Sequence, residues 1–225
     1  MSDVDDLLNE IRGLIGAVSY HSASTPSDVY EGYVFALIVS TASENGAAIT
    51  YEDVHGTKAF GKLFRTSPGQ LYSTNKPYTH ALIEFPGAPA LEVHLGVYVQ
   101  GTSGVLHECD VLVLPAEEAA ISRAQKIVPR GSQCVLVVEC KYYLTRPVGV
   151  GMARNFEGLR ADVRTQDELF VSNTGSPNLV RYLDARNREY ERNVVPGSRQ
   201  ASYLQAAIRN AFKGYMSKHS PSTLI

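Results

Sequence analysis

Apolar residues recur at helical spacing in several separate stretches of the chain. The first, over 3–18, has a continuous apolar stripe and three aspartates in its first turn. The second begins at Thr25, where Asp28 three residues later makes a capping-box-like start. The same pattern predicts a short helix within 115–131 and longer helices at 148–164, 176–187 and 199–217.

Alternation of apolar and polar residues predicts the strands of a sheet. From Leu91 to Val99 every second residue is apolar, and a turn at 100–104 leads into a run that ends at Leu114. This pair is typical of an antiparallel hairpin. Further strands or extended segments are predicted at 134–142, 168–173 and 189–195. Together the elements predict an α/β fold with a central mixed sheet flanked by helices.

The interval 44–90 follows neither pattern. It contains the turn signals Gly-Thr, Ser-Pro-Gly, Lys-Pro and Pro-Gly, so we predict an irregular insertion there. At 225 residues the chain is long enough to bury a core. We therefore expect a single domain over 1–225 that carries this insertion.

Charged residues interrupt two of the predicted core strands. Alternation along 134–142 places Glu139 and Lys141 on the same face, and Asp110 lies in the preceding strand. Buried charges are costly, so a strand face with two opposite charges is expected to open onto a site. If the two strands are neighbours, their two acids and the lysine meet. Such a group can hold a hard divalent cation beside a phosphodiester.

Asp110 followed by Glu139-Cys140-Lys141 resembles the PD-(D/E)XK nuclease superfamily, whose fold is shared by many restriction endonucleases and related DNA-processing enzymes. The resemblance covers roughly 27–216. It implies a restriction-endonuclease-like core and Mg²⁺- or Mn²⁺-dependent hydrolysis of phosphodiester bonds in DNA, with RNA as another substrate to test. A role in restriction or anti-phage defence follows by analogy alone.

The resemblance also implies roles for individual residues. Asp110, Glu139 and the backbone carbonyl of Cys140 are the expected metal ligands, while Lys141 orients the attacking water or offsets phosphate charge. In the superfamily the helix before the sheet often offers a glutamate to the metal site, which here is Glu31. A solvated surface position would explain Glu31 equally well. A plain salt bridge would explain Glu139 and Lys141, although it would leave Asp110 without a role.

Neighbouring strand residues enlarge the set of candidate ligands. The hairpin predicts that Glu92, His94 and Glu108 line the same cleft as Asp110. We keep Glu92 and Glu108 as further candidate metal ligands. We interpret His94 and His107 as ordinary polar strand residues, because a single histidine is weak evidence for a site.

Basic residues are concentrated in two regions of a chain whose formal net charge is −2. Any nucleic-acid contact must therefore come from local patches. The interval 55–83 has no Asp or Glu, and its Lys58, Lys62 and Arg65 are interleaved with aromatic residues, as is typical of nucleic-acid backbone contacts. Lysines of a structured insertion that simply face solvent are the alternative. The helix at 148–164 adds Arg154, Arg160 and Arg164.

Composition indicates an ordinary globular protein, with 44% hydrophobic and 20% charged residues. Its three cysteines, Cys109, Cys134 and Cys140, lie in predicted core strands without CxxC spacing. They indicate reduced, buried thiols and not a disulfide framework. The acidic N-terminal segment has no signal-peptide pattern and no apolar run reaches membrane-spanning length. We therefore expect a cytoplasmic protein with no membrane partner.

The first helix carries an apolar stripe that is wide for a terminal helix: Leu7, Leu8, Ile11 and Ile15. It predicts either packing on the core of the same chain or the interface of a homodimer or higher homo-oligomer. A dimer would suit double-strand cleavage, because one such site cuts one strand. The leading hypothesis is a metal-dependent DNA endonuclease. The alternative is a non-catalytic module on the same fold that binds nucleic acid or another ligand.

Overall fold

The computed structural model describes residues 4–20 and 24–219. Its helices are α1 (Val4–Ile15), α2 (Pro26–Glu44), α3 (Ala116–Gln125), α4 (Val150–Val163), α5 (Pro177–Asp184) and α6 (Arg199–His219). Its strands are β1 (Ser19–Tyr20), β2 (Ala48–Glu52), β3 (Leu63–Phe64), β4 (His80–Glu84), β5 (Leu91–Gln100), β6 (Leu106–Pro115), β7 (Leu136–Lys141), β8 (Asp167–Ser172) and β9 (Tyr190–Arg192). No described helix combines the length and apolar character needed to cross a bilayer.

Seven strands form one mixed sheet in the order β2-β4-β5-β6-β7-β8-β9. The pairs from β2 to β7 are antiparallel, whereas β7–β8 and β8–β9 are parallel. Helix α4 is the crossover that lets β8 run parallel to β7. Strands β1 and β3 form a separate two-residue parallel pair. The predicted α/β fold with a central mixed sheet flanked by helices is confirmed.

Helix α2 anchors one face of this sheet. Its first turn is closed by the capping box predicted from the sequence, in which the Thr25 side chain accepts from the Asp28 N–H and Asp28 accepts from the Thr25 N–H. Beyond that turn most of its side chains are buried. The reason is that α1 and α6 cover the helix on one side and β5, β6 and β7 on the other.

The prediction that 44–90 is an irregular insertion is wrong. Strands β2 and β4 lie within it and pair antiparallel at the edge of the central sheet. Each strand is only five residues long. The turn residues of the long connection at 53–79 dominated the composition and concealed them. The interval therefore forms part of the sheet and adds two strands at the edge next to the strands predicted at 91–99 and 105–114.

The alternation of side chains between the two faces of the sheet is interrupted in both β5 and β6, at Gly96 and Asp110. Before this point Leu95 packs in the cluster around α2, and after it Val97 packs in the cluster on the other face of the sheet. Gly96 has φ of +54°, a conformation that glycine adopts without strain. In β6, Val111 packs near α2 but Cys109 does not. The uninterrupted alternation predicted for both strands is therefore wrong at this position, and Asp110 lies where the strands switch.

The apolar stripe of α1 packs on its own chain. Leu7 and Ile11 are fully buried in the cluster that surrounds α2, and Leu8 and Ile15 are half-buried against it. Of the two interpretations of this stripe, packing on the core is correct. The side chains of Leu7 and Ile11 are not available to a second copy, so a dimer interface built on them is wrong.

Candidate functional site

An open cleft of about 580 Å³ lies between the adjoining ends of β6 and β7 and helix α4. The pairing of β6 with β7 brings together the three residues predicted to form the site, Asp110, Glu139 and Lys141. The residues that line the cleft are His107, Glu108, Asp110, Glu139, Lys141, Arg154, Asn155, Gly158 and Leu159. The predicted meeting of these three residues in one cleft is thus confirmed.

Lys141 links the two acids directly. Its Nζ lies 2.7 Å from Glu139 Oε1 and 3.3 Å from Asp110 Oδ2. The same Asp110 oxygen accepts a 2.7 Å hydrogen bond from the Cys140 backbone N–H. The side chains of Asp110 and Glu139 are only 10% and 13% exposed, so these contacts are sheltered from solvent. The salt-bridge interpretation now accounts for Asp110 as well as for Glu139.

In and around the cleft there are more acidic groups than the single lysine, Lys141, can neutralise. Burial first, and then the charges of Asp110 and Asp28, raise the pKa of Glu31 to about 9 against the opposing effect of Lys141. Burial and Asp110 likewise raise the pKa of Glu139 and of Glu108. Nearby like charges and loss of hydration both favour the neutral form of a carboxyl group. The cleft therefore holds more negative charge than its lysine offsets, so it either retains protons or attracts a cation.

Lys141 remains an ammonium group in this setting. Burial alone would lower its pKa, but the charges of Asp110 and Glu139 outweigh that effect and raise it. An ammonium group has three donors and no acceptor. Lys141 therefore acts as a source of positive charge and hydrogen bonds and not as a base.

Glu31 belongs to this acidic group and not to the solvated surface. It is half-buried in the second turn of α2, and its pKa depends on Asp110, Glu108 and Lys141 in the cleft. The preceding Tyr30 fixes that turn, because its ring packs on Tyr142 at a centroid distance of 5.1 Å and its hydroxyl donates to the Val194 carbonyl. The interpretation of Glu31 as a solvated surface residue is wrong.

Cys140 contributes to the site through its backbone. Its N–H holds Asp110 in place, while its thiol is buried in the cluster around α2. The three cysteines, Cys109, Cys134 and Cys140, are free and buried, as the sequence predicted. Metal ligation by the Cys140 carbonyl stays a prediction.

A His–Asp pair that the sequence analysis missed stands at the rim of the cleft. His107 Nε2 lies 2.7 Å from Asp162 Oδ2. Asp162 also accepts from the Thr102 hydroxyl, the Ser103 backbone N–H and the Ser103 hydroxyl, and hydrogen bonds from Ser103 and His107 lower its pKa. His107 is therefore a positioned cleft residue. Because 55 positions separate the two partners, no local motif reveals them.

Glu92 and His94 do not belong to the cleft, so the prediction that they line it with Asp110 is wrong. Glu92 is buried and accepts hydrogen bonds from both Nη atoms of Arg123. Its Oε2 also lies 2.8 Å from His94 Nε2, within hydrogen-bond distance. Although burial opposes it, these hydrogen bonds lower the pKa of Glu92 to about 2. Burial lowers the pKa of His94 and that of the neighbouring His80, the latter to about 3. Glu108, by contrast, does line the cleft.

The three basic residues predicted in 55–83 have different environments. Arg65 is only 7% exposed, its guanidinium lies 3.7 Å from the ring centroid of Tyr78, and it donates to the Gln70 carbonyl. It is a structural residue, so its prediction as a nucleic-acid contact is wrong. Lys62 lies over the Tyr51 ring at 4.4 Å. Lys58 is exposed, which fits both a ligand contact and a lysine that simply faces solvent, so its role stays a prediction.

The arginines of α4 also differ. Arg154 is exposed and lines the cleft. Arg160 is bound by Glu168, so its charge is compensated. Arg164 is exposed at the end of the helix, outside the cleft lining. Among the predicted basic contacts, Arg154 is therefore the one that the structure places beside the acidic group.

A larger groove of about 980 Å³ lies elsewhere, between the start of α3 and the end of α6. Arg130 in its wall is bound by Glu118 through three hydrogen bonds. Volume alone does not indicate chemistry, whereas the smaller cleft has several carboxyl groups with raised pKa values. We therefore take the cleft that contains Asp110 as the candidate site.

Comparison with known proteins adds little to this picture. Neither a protein-family model nor a curated protein matches the chain. One solved structure, titled "Crystal Structure of Protein of Unknown Function AF1548", is similar with a TM-score of 0.36 and 19% sequence identity. The similarity covers 51% of this chain and 55% of that chain. It spans only about half of each protein, so inference about function depends on the geometry of the cleft.

Proposed function

We propose that this protein is a metal-dependent nuclease that hydrolyses phosphodiester bonds in DNA and has a restriction-endonuclease-like core. The observation that carries the proposal is the excess of carboxyl groups around one ammonium group in an open cleft. These groups are Glu108, Asp110 and Glu139, which line the cleft with Lys141, and Glu31, which lies behind the lining and whose pKa depends on charges in the cleft. A divalent cation would relieve the repulsion that, after burial, raises the pKa values of Glu31, Glu108 and Glu139.

The residues fit Mg²⁺ or Mn²⁺. Both ions prefer oxygen ligands, and Mg²⁺ keeps several waters while it binds one or two carboxylates and a phosphate. Asp110 and Glu139 would hold the ion, with the Cys140 carbonyl and Glu31 as further ligands. When bound, the ion polarises a phosphoryl oxygen and lowers the pKa of a coordinated water.

The chain's own residues would perform the remaining tasks. Lys141, an ammonium group between Asp110 and Glu139, would offset the charge that develops on the phosphoryl oxygens. The Cys140 N–H keeps Asp110 fixed, so the charge is preorganised. Arg154 on the α4 wall would contact a neighbouring phosphate of the DNA backbone.

The order of elements also supports a restriction-endonuclease-like core. Helix α2 precedes the antiparallel strands β5, β6 and β7, and the crossover helix α4 leads to the parallel strand β8. This order matches the resemblance on which the sequence-based hypothesis rests. Strands β2 and β4 are an addition at the edge of the sheet.

The test is cleavage of plasmid and short duplex DNA by purified protein with Mg²⁺, with Mn²⁺ and with chelator. Asp110→Asn and Glu139→Gln should each lower the rate at least about 100-fold, since each removes charge at the reacting phosphate. Glu117→Gln, an exposed acid on α3, is the matched control and should cleave like the wild type. Full activity in Glu139→Gln would show that the assignment is wrong.

A non-catalytic binding module is the second candidate. It is favoured by the simultaneous contact of Lys141 with Asp110 and Glu139, which partly balances the charges without an ion. The same reactions separate the two functions. A protein that binds DNA or RNA but cleaves neither with any divalent ion, in wild-type form, would support the binding module.

A further inference from the structure

A second group of polar side chains lies on the part of the sheet formed by β2, β4 and β5. The register pairs Glu52 with His80 across β2 and β4. The ring of His80 stacks on that of His94 in β5, with centroids 4.6 Å apart and planes 19° apart. Glu92 precedes His94 by two positions and so points to the same face. Three neighbouring strands therefore direct four side chains with metal-ligating atoms to one place.

The ligating atoms converge closely. His80 Nε2 lies 3.3 Å from Glu92 Oε2 and 3.4 Å from Glu52 Oε2, and His94 Nε2 lies 2.8 Å from Glu92 Oε2. Within 4–20 and 24–219, His80, Glu92 and His94 are the one group of three such residues whose ligand atoms all lie within 4.8 Å of one another. The acids of the cleft are not grouped so tightly.

His80 provides an independent indication of a ligand. It is completely buried, and in the part of the chain that the structure describes neither of its ring nitrogens has a hydrogen-bond partner. A buried polar group without a partner is costly and rare. Its separation from Glu92 Oε2 is close to the edge of about 3.4 Å expected between ligands of a tetrahedral ion with bonds of about 2.1 Å, whereas the 2.8 Å between Glu92 and His94 is a hydrogen-bond distance that would lengthen on metal binding.

The surroundings of His94 are consistent with the same ion. The Tyr78 hydroxyl donates to the Leu71 carbonyl at 2.9 Å and lies 3.2 Å from His94 Nδ1. When a metal binds Nε2, His94 Nδ1–H can donate to the Tyr78 hydroxyl, and the metal replaces the proton that Nε2 shares with Glu92 in the metal-free protein. Metal-binding histidines typically donate their other N–H in this way.

We propose that His80, His94 and Glu92 bind a zinc ion. Two imidazoles and a carboxylate favour zinc over Mg²⁺. Arg123 keeps its hydrogen bonds to Glu92, because each carboxylate oxygen has two lone pairs. The site joins β4 to β5 near the edge of the sheet. It is independent of the proposed nuclease function.

The experiment measures metal in protein prepared without a polyhistidine tag. Elemental analysis should find one zinc per chain. After removal of zinc by chelator, titration with Zn²⁺ should restore it and raise the melting temperature, and Co²⁺ should give the visible absorption of a tetrahedral site. His80→Gln and His94→Gln should each weaken zinc binding at least about 100-fold, since each removes a direct ligand.

Two controls separate this site from other effects. His55→Gln changes an exposed histidine in the nearby connection, and Glu139→Gln changes the cleft, so both should retain zinc with wild-type affinity. Wild-type protein needs no substitution to give a result. If it is folded, is isolated without zinc and takes up none at micromolar concentration, the proposal is wrong. Equal zinc binding by folded His80→Gln would overturn it as well.

Discussion

The charge state of Glu31 depends on its burial and on residues of two other elements, β6 and β7. Burial in α2 and the charges of Asp110 and Glu108 in β6 raise its pKa, while Lys141 in β7 lowers it. With a pKa of about 9, Glu31 is protonated at neutral pH when no cation occupies the cleft. The folded state binds this proton more tightly than the unfolded chain does. The stability that the bound proton contributes is therefore complete below the unfolded pKa of Glu31 and is lost as pH rises through its folded pKa.

Glu31→Gln is therefore expected to stabilise the metal-free protein at high pH. The amide keeps the shape of the protonated acid and cannot ionise, so the gain at pH 9 should be several kcal/mol. Below about pH 4 the variant and the wild type should have the same free energy of unfolding. Denaturant unfolding across this pH range measures the difference.

The matched control is Glu44→Gln at the other end of α2, where the acid is exposed. Its effect should be a few tenths of a kcal/mol. If the free energy of unfolding has the same pH dependence in the wild type and in Glu31→Gln, the pKa of Glu31 is not raised in the folded state. That result would also weaken the case for crowded negative charge in the cleft.

At the scale of elements, α4 shows why spacing does not identify a binding residue. Its arginines at 154, 160 and 164 have the same chemistry, but Arg154 lines the cleft and Arg160 is bound by Glu168 in β8. The sequence shows that these arginines lie on the helix. It does not show which acidic residues of other elements lie close enough to pair with them. Only the register of β8 beside β7 settles which charge is free to meet a ligand.

Arg154→Ala should weaken DNA binding and reduce the slope of log binding constant against log salt concentration by about one unit. Arg160→Ala should leave the slope unchanged, since Glu168 compensates its charge. Fluorescence anisotropy with a labelled duplex at several salt concentrations gives both slopes. If the two variants behave alike, the cleft wall does not contact DNA.

The elements that could be predicted are those with long, uninterrupted patterns. Helix α2, the β5–β6 hairpin and β7 have such patterns, and the adjacency of β6 and β7 was enough to bring Asp110, Glu139 and Lys141 together. Strands β2 and β4 were missed because each is short and bounded by turn residues. The change of sides at Gly96 was missed because it depends on both strands bending together.

The groups that were missed join residues distant in sequence. Recognising Glu52 and His80 as neighbours requires the pairing of β2 with β4, two strands that were not predicted. Asp162 meets His107 only because α4 packs over the β5–β6 turn. A prediction from local pattern therefore recovers a site on adjacent core strands and fails where the partners come from short edge strands or from helices across the sheet.

At the scale of the whole molecule, the packing of α1 constrains assembly. Cutting both strands of a duplex requires two active sites, and a two-fold dimer is the simplest way to provide them. Leu7 and Ile11 are already buried against α2, so this stripe stabilises the monomer. A homodimer stays a prediction, and Leu7 and Ile11 are not available to form its interface.

Leu8→Asp and Ile11→Asp should therefore differ in folding. Ile11→Asp buries an unpaired charge and should destabilise the fold by several kcal/mol, whereas Leu8→Asp, at a half-buried position, should fold with a smaller loss. Sedimentation velocity of the folded Leu8→Asp protein, with and without duplex DNA, should give the same mass as the wild type. A wild-type dimer that dissociates on Leu8→Asp in folded protein would place the interface on α1 and contradict the core-packing interpretation.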